Sequence, residues 1–318
     1  VLFHQACFLG ISMELGLCMV VKNEESALVR NLLPIYTYFD DISIVDTGSS
    51  DKTLDVLNKM GITPTLWQPD PRDVDINMRY WEPYARNLSI SKCKSDWVLV
   101  LDADEQISSD DIIKIKNSDL TKNGYFLPWE NYVGRNAYLD YKLCLFRNNL
   151  GIEYDHILHS NTQLSFRKNN MKAGHLQEIT IKHLQESRPI RKSRVELLEK
   201  LFQMYPENSR YGWFLGYTSY VNGDIISALK ALKSTVSSRT LDFPAECFYS
   251  HLVLAKIYSE KGQHQKASEQ LVQALSFYDE HSNDFEIKIN IRAYNWAQES
   301  LQMISQKKSS LPSIYFPY

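Results

Sequence analysis

Apolar and polar positions along this chain follow two different periods, and the change of period divides it. Up to about residue 187 the apolar residues come in short runs bounded by polar ones, at Leu15 to Val21, Ile42 to Val45, Thr63 to Trp67 and Trp97 to Leu101. Such runs read as strands buried on both faces, the kind found inside a parallel sheet covered by helices. Between them the pattern predicts a helix from Glu25 to about Pro34, another beginning near Leu54, and a third opened by Tyr84-Ala85-Arg86-Asn87 and ending near Cys93. A short helix is expected from about Ser109 to Lys116, then strand-like pieces at Tyr125 to Pro128, Tyr141 to Phe146 and Ile179 to Lys182. Beyond residue 188 the period becomes helical. Ser193 and Glu196 have the spacing of a capping box, and Val195, Leu198, Leu201, Phe202 and Tyr205 then fall on one face until Pro206.

The second half also repeats. Leu215-Gly216, Gly223-Asp224, Ala228 and Leu232 recur as Leu254-Ala255, Gly262-Gln263, Ala267 and Leu271, 39 residues on. Small residues where helices cross, with Gly at the turn, form the tetratricopeptide signature, here longer than its usual repeat of ~34 residues. Two repeats and a last helix from about Phe285 to Ile304 are too few to bury a solenoid core alone. They are expected to dock on the first domain, on a second subunit as a homodimer, or on a partner. The expected organisation is an arm (1–12), an α/β domain (13–187), a tetratricopeptide-like all-α domain (188–306) and a tail (307–318).

Chemistry concentrates where the run WVLVLDADE ends. Side chains two apart on an extended segment point the same way, so Asp102 and Asp104 aim at one spot beyond the strand's carboxyl end, where open α/β sheets bind ligands. Two hard oxygen donors suit Mg²⁺ or Mn²⁺, usually completed by water and substrate phosphate; alternatively these acids only end a strand. Asp46 also ends a strand, and the small polar turn Thr47 to Thr53 leads into a helix, an arrangement suited to a nucleotide. Gln68 to Pro83, with three prolines and four acids, reads as a binding loop or a surface insertion. Arg86 would lie at a helix amino-terminal turn, where a cation is disfavoured unless it meets an anion.

Composition narrows the class. Of the 318 residues, 44% are hydrophobic and 23% charged, which suits a globular protein rather than a disordered one. A net charge of −3 argues against a nucleic-acid surface, and the basic run from Arg188 to Arg194 reads as a solvated linker. Five cysteines without a C-x-x-C spacing argue against a disulfide framework or a zinc knuckle and for a reducing cytoplasm. The apolar amino end has no Lys or Arg before Lys22, unlike a signal peptide, and no later stretch approaches a membrane span. Met13 is a candidate start, which would make residues 1–12 dispensable.

Four motifs in order, LCMVVKNEE, ISIVDTGSSDKT, YARN and WVLVLDADE, resemble the nucleotide-sugar half of family 2 glycosyltransferases, whose mixed α/β fold is called GT-A. The chain is most similar to the subgroup with a carboxy-terminal tetratricopeptide-like domain, which includes the glycocin peptide S-glycosyltransferases. The resemblance implies a metal-dependent inverting transferase that moves a hexose or N-acetylhexosamine from a UDP-sugar to a glycan, lipid-linked or peptide acceptor. It places Val21, Asn23, Glu24, Asp46 and Ser49 around the nucleoside, Arg86 at the base or diphosphate, and Asp102 and Ala103 at the donor. Asp104 and His183 would ligate Mg²⁺ or Mn²⁺, with Asp102 a further ligand or a holder of ribose or metal-bound water. Trp129 and Arg147 would face the acceptor.

The expected location is the cytoplasm, or the periphery of the inner membrane face. Relatives often read V-H-E where this chain has Leu158-His159-Ser160, so a glutamate that could serve as base is missing. His159, Asp155, Glu130 or Glu153 are candidate substitutes, and a thiol acceptor would need less help. The missing glutamate also leaves open a non-catalytic adaptor with a degenerate nucleotide-sugar domain.

Overall fold

The central strand owes its place to composition. β1 (Leu15–Val21) is apolar at nearly every position and is buried on both faces. In the computed structural model, which describes residues 13–68, 81–133, 136–155, 160–185, 192–238, 243–281, 291–306 and 311–312, two parallel strands flank it. These are β2 (Asp41–Asp46) and β4 (Trp97–Val100), and β3 (Thr65–Leu66) extends the sheet beyond β2. The other side is mixed. β7 (Asn136–Arg147) runs antiparallel to β4, and β6 (Gly124–Val133) antiparallel to β7. β9 (Ile181–Gln185) runs parallel to β6, and β5 (Glu105–Gln106) pairs antiparallel with β9. Among the described residues the sheet order is β3-β2-β1-β4-β7-β6-β9-β5, with β8 (Ala173–His175) on the free part of β6.

Helices cover this sheet as the apolar pattern requires. α1 (Glu25–Ala27) continues as a π-helical turn over Leu28–Leu32, followed in the chain by α2 (Thr53–Lys59), α3 (Trp81–Lys92), α4 (Ser109–Lys116) and α5 (Gln163–Lys168). Ile112 and Ile115 of α4 join Leu17, Leu99, Leu127 and Ile181 in one buried cluster, while Ser108 caps the helix by accepting from the Asp111 N–H.

Three elements differ from the expectation. β3 is two residues long, because Thr63 and Pro64 stay outside the ladder. The β6–β7 hairpin is far longer than its apolar pieces, since aromatic and polar residues alternate along it and still pair. α3 starts at Trp81, so Pro83 sits in its first turn, where a missing N–H is harmless, and Arg86 lies one turn further in. Residues 69–80, most of the expected loop, lie outside the described residues.

The chain divides into two compact units, Val1–Ser187 and Arg188–Tyr318. The second holds α6 (Lys192–Met204), α7 (Ser209–Val221), α8 (Ile225–Ser237), α9 (Pro244–Glu260), α10 (His264–His281) and α11 (Ile291–Ser305). α6 is already helical at Lys192, so Ser193 is not its N-cap. The 39-residue repeat maps onto the pairs α7–α8 and α9–α10, each joined by a glycine in the left-handed region, Gly223 (φ 82°) and Gly262 (φ 70°). Gly216 lets α7 meet α8: a Cβ there would come within 2.5 Å of Leu232 Cγ. The four described cysteines are buried free thiols. Among the described residues no helix is long and apolar enough to cross a membrane.

Candidate active site

β4 delivers the acidic turn. Its backbone leaves the sheet at Leu101 and turns at once, with the Glu105 N–H donating to the Asp102 carbonyl at 3.0 Å. Asp102 and Asp104 are thereby separated in function. Asp102 is held by Arg86 of α3, whose Nη2 lies 2.7 Å from its Oδ1, and by Lys142 of β7, 3.2 Å from its Oδ2. Burial opposes its ionisation, but the charges of Arg86 and Lys142 prevail and keep its pKa far below the usual carboxylate range. Engaged by two cations, Asp102 does not join Asp104 as a metal ligand in this arrangement.

Asp104 is the open member, with its side chain 43% exposed, and its Oδ2 lies 3.3 Å from His183 Nε2. The other ring nitrogen of His183 is 2.8 Å from Asn131 Oδ1. The Asn131 amide is oriented by its own donation to the Trp129 carbonyl at 3.1 Å, so an oxygen faces His183 and Nδ1 carries the hydrogen. Nε2 then needs a second proton or a cation to sit against a carboxylate. Burial disfavours charge on His183, yet the hydrogen bond and charge of Asp104 outweigh it and raise its pKa. Adjacent ligands of an octahedral ion at ~2.1 Å lie about 3 Å apart, so the separation of this pair is close to that of two ligands of one divalent cation. Among the described residues no third His, Cys, Asp or Glu converges there, which leaves the remaining positions to water or a ligand.

Trp129 stacks on His183, with ring centroids 4.9 Å apart at 13°, and donates its indole N–H to Glu105 Oε1 at 2.7 Å. Glu105 is fully buried. Its carboxylate also accepts from the Asp102 N–H at 2.8 Å and from Lys142 at 2.7 Å to each oxygen. Burial pushes its pKa up and Lys142 opposes that; since every partner is a donor, the carboxylate is ionised. Lys142, Glu105 and Asn131 were not singled out by the sequence. A lysine inside the run YKLCLF of β7 was the available signal, because an ammonium at a sheet position needs buried carboxylates for partners.

Around the nucleotide-type turn, the structure gathers the expected residues but engages them with one another. Asp46, 2% exposed, accepts the N–H groups of Gly48 and Ser49 at 2.9 and 3.0 Å and the Ser49 hydroxyl. Asn23, at φ 58°, takes the Ser50 N–H on its side chain at 2.7 Å and gives its own N–H to Ser49 Oγ at 2.9 Å. The Glu24 N–H goes to Thr53 Oγ1 at 2.7 Å, and the Val21 carbonyl accepts the Thr47 N–H at 3.0 Å. The Ala103 carbonyl accepts from Asn31 at 2.6 Å.

The remaining candidates scatter. Arg147 pairs with Trp97 at the start of β4 and lies over its ring at 5.1 Å. That is the opposite end of the strand from Asp102, so the acceptor role expected for Arg147 is not supported. Glu130 alternates with Trp129 and Asn131 and so faces the other side of β6, where the Tyr132 hydroxyl donates to it at 2.6 Å. It does not join the Asp104–His183 pair. Asp155 pairs its backbone with Asn161, and its carboxylate lies 3.5 Å from Lys168. His159 lies outside the described residues. Ser160 has a buried hydroxyl without a partner among the described residues. Tyr154, next to Asp155, lies beneath Arg86 at 5.4 Å, and both its hydroxyl and Arg86 Nη1 are buried without a partner there.

Residues 17–120 match the sequence model of the family described as Glycosyl transferase family 2. A TPR repeat-containing protein of Synechococcus elongatus is 35% identical over 103 residues, 31% of this chain and 23% of its own. The SPbeta prophage-derived glycosyltransferase SunS of Bacillus subtilis is 24% identical over 238 residues, 69% of this chain and 52% of its own. The chain thus spans about half or less of the length of these relatives. Among solved structures, S. aureus TarS 1–349 in complex with UDP-GlcNAc aligns with a TM-score of 0.46 and 13% identity over 92% of each chain. The segment that carries the Asp46 and Asp102 turns is thus the part of the chain that matches the glycosyl transferase family 2 model, and it lies on a mixed α/β sheet.

Proposed function

We propose that this chain is a metal-dependent, inverting glycosyltransferase that moves a hexose or N-acetylhexosamine from a UDP-sugar to a glycan, lipid-linked or peptide acceptor. The observation that carries this reading is the Asp104–His183 pair: a half-exposed carboxylate and an imidazole 3.3 Å apart, close enough to serve as two ligands of one cation. Asn131 fixes the ring from behind, as partners of metal-bound histidines do. The family 2 match and the similarity to the glycosyltransferase SunS support glycosyl transfer. Mg²⁺ or Mn²⁺ held there would supply positive charge for the departing diphosphate.

In this reading the chain's own groups divide the work. The preformed Asn23–Ser49–Asp46 turn receives the nucleoside, and the ligand replaces some of the bonds that close it in the present arrangement. Arg86 holds Asp102 in place and contributes its unpartnered Nη1 near the donor. Inversion requires a base to take the acceptor proton as C1 is attacked. Asp155 and His159 are the proposed carriers, because Asp155 follows Tyr154, whose ring packs beneath Arg86.

UDP release from a panel of UDP-sugars, with Mn²⁺ and with EDTA, tests the reading. Metal-dependent hydrolysis of at least one donor, reduced about a hundredfold by Asp104→Ala, is the expected result. Equal release in EDTA, or by the Asp104→Ala protein, would refute it.

A further inference from the structure

In the Asp102–Glu105 turn three carbonyls and two of the three carboxylates, those of Asp102 and Glu105, are held inward. The Asp102 carbonyl takes the Glu105 N–H at 3.0 Å, and the Asp104 carbonyl takes the Leu184 N–H at 3.1 Å. The Ala103 carbonyl takes the side-chain amide of Asn31, which the π-helical turn presents. One group joins the two inward carboxylates. Lys142 Nζ lies 3.2 Å from Asp102 Oδ2 and 2.7 Å from each oxygen of Glu105. An ammonium has three N–H donors, and these three acceptors use them all.

We propose that Lys142 is a positioning residue of the donor site: its ammonium locks Asp102 and Glu105 into the turn, so that Asp104 is left as the open carboxylate aimed at His183. The proposal rests on the donor-site reading above. With its donors engaged inward and its side chain 17% exposed, Lys142 has none left for a diphosphate. Stability alone is a weak reason for it, since an apolar residue in the same space is often as good as a buried ion pair. Without the ammonium, Asp102 and the buried Glu105 would repel one another, and the Glu105 bonds to the Asp102 N–H and to Trp129 would lose their fixed anion. The metal pair would then drift, because Asp104 sits between them in the chain. The nucleoside turn, built on β1 and β2, would be untouched. Charge on Lys142 is strongly favoured against burial by Asp102 and Glu105, in keeping with this role.

Lys142→Met alone strands two carboxylates and risks unfolding, so the decisive variant is Lys142→Met combined with Glu105→Gln, which removes both sides of the buried pair. Lys142→Arg keeps the charge. UDP is titrated calorimetrically into each full-length protein with and without Mn²⁺, after a cooperative thermal transition has shown that it is folded. The proposal expects the double variant to bind UDP without metal as the unaltered protein does, yet to lose about tenfold or more of its affinity for UDP with Mn²⁺. Lys142→Arg should recover most of that loss. A double variant that binds UDP with Mn²⁺ like the unaltered protein, or that weakens equally with and without metal, overturns the positioning role alone. Failure of the unaltered protein to bind UDP with Mn²⁺ overturns the donor-site reading and this proposal with it.

Discussion

The two units bury polar groups in different ways. In Val1–Ser187 the buried polar groups around Asp102 are ionic and converge on one turn, where Arg86, Lys142, Asp102 and Glu105 touch across three elements far apart in sequence. In Arg188–Tyr318 they include hydroxyls bonded within their own helix: Ser250 donates to the Glu246 carbonyl at 2.7 Å, and Thr235 to the Ala231 carbonyl at 3.1 Å as well as, at 3.4 Å, to the Ser209 carbonyl of α7. Hydroxyls satisfied within one turn ask nothing of tertiary structure, whereas buried ions must find each other over long range. The first arrangement specifies a site; the second fills space between packed helices.

Breaking the ionic cluster should have the largest effect on stability. Lys142→Met leaves Glu105 buried without its counter-ion, and we expect a loss of about 3 kcal/mol, the low end for a broken buried pair because Asp102 is a third exposed. Chemical denaturation measures it. In the second unit the comparable injury is steric. Gly216→Val drives a side chain into Leu232, whose Cγ and Cδ2 lie 2.5 and 2.7 Å from the new Cβ, and should cost about 2 kcal/mol. Circular dichroism on melting would show it as an earlier loss of helix.

Smaller changes sharpen the contrast. Trp129→Phe removes one donor to Glu105 while Lys142 and the Asp102 N–H remain, so a loss of about 1–2 kcal/mol is expected. His251 of α9 gives the smallest effect. Burial holds its pKa below the ordinary value, with Gln270 only partly opposing, so the unfolded chain binds the proton more readily than the folded one. Its contribution to stability is therefore intact above about pH 6.5 and declines as pH falls towards the lower folded-state value. His251→Gln should flatten that part of the stability–pH curve.

Much of this organisation can be read along the chain because it is local. An apolar run ending in D-A-D marks β4 and its turn, and the glycines 39 residues apart mark the two helix pairs. The partners of the turn are not local. Lys142 lies 40 residues from Asp102, and only the antiparallel pairing of β7 with β4 brings it there. Arg86 shows the same limit. Its sequence position suggested an external anion, but the longer α3 carries it onto Asp102, an anion of the protein itself. Glu130 fails for a simpler reason: one residue along a strand reverses the face, and an acid beside Trp129 cannot share its side.

The most direct test is calorimetric titration of UDP, with and without Mn²⁺, into the unaltered protein and into Asp104→Ala. Binding that is strengthened by Mn²⁺ in the unaltered protein, with that gain absent in Asp104→Ala, is the result this account predicts. Binding that is the same with and without Mn²⁺, or a metal gain that survives loss of the Asp104 carboxylate, would contradict it.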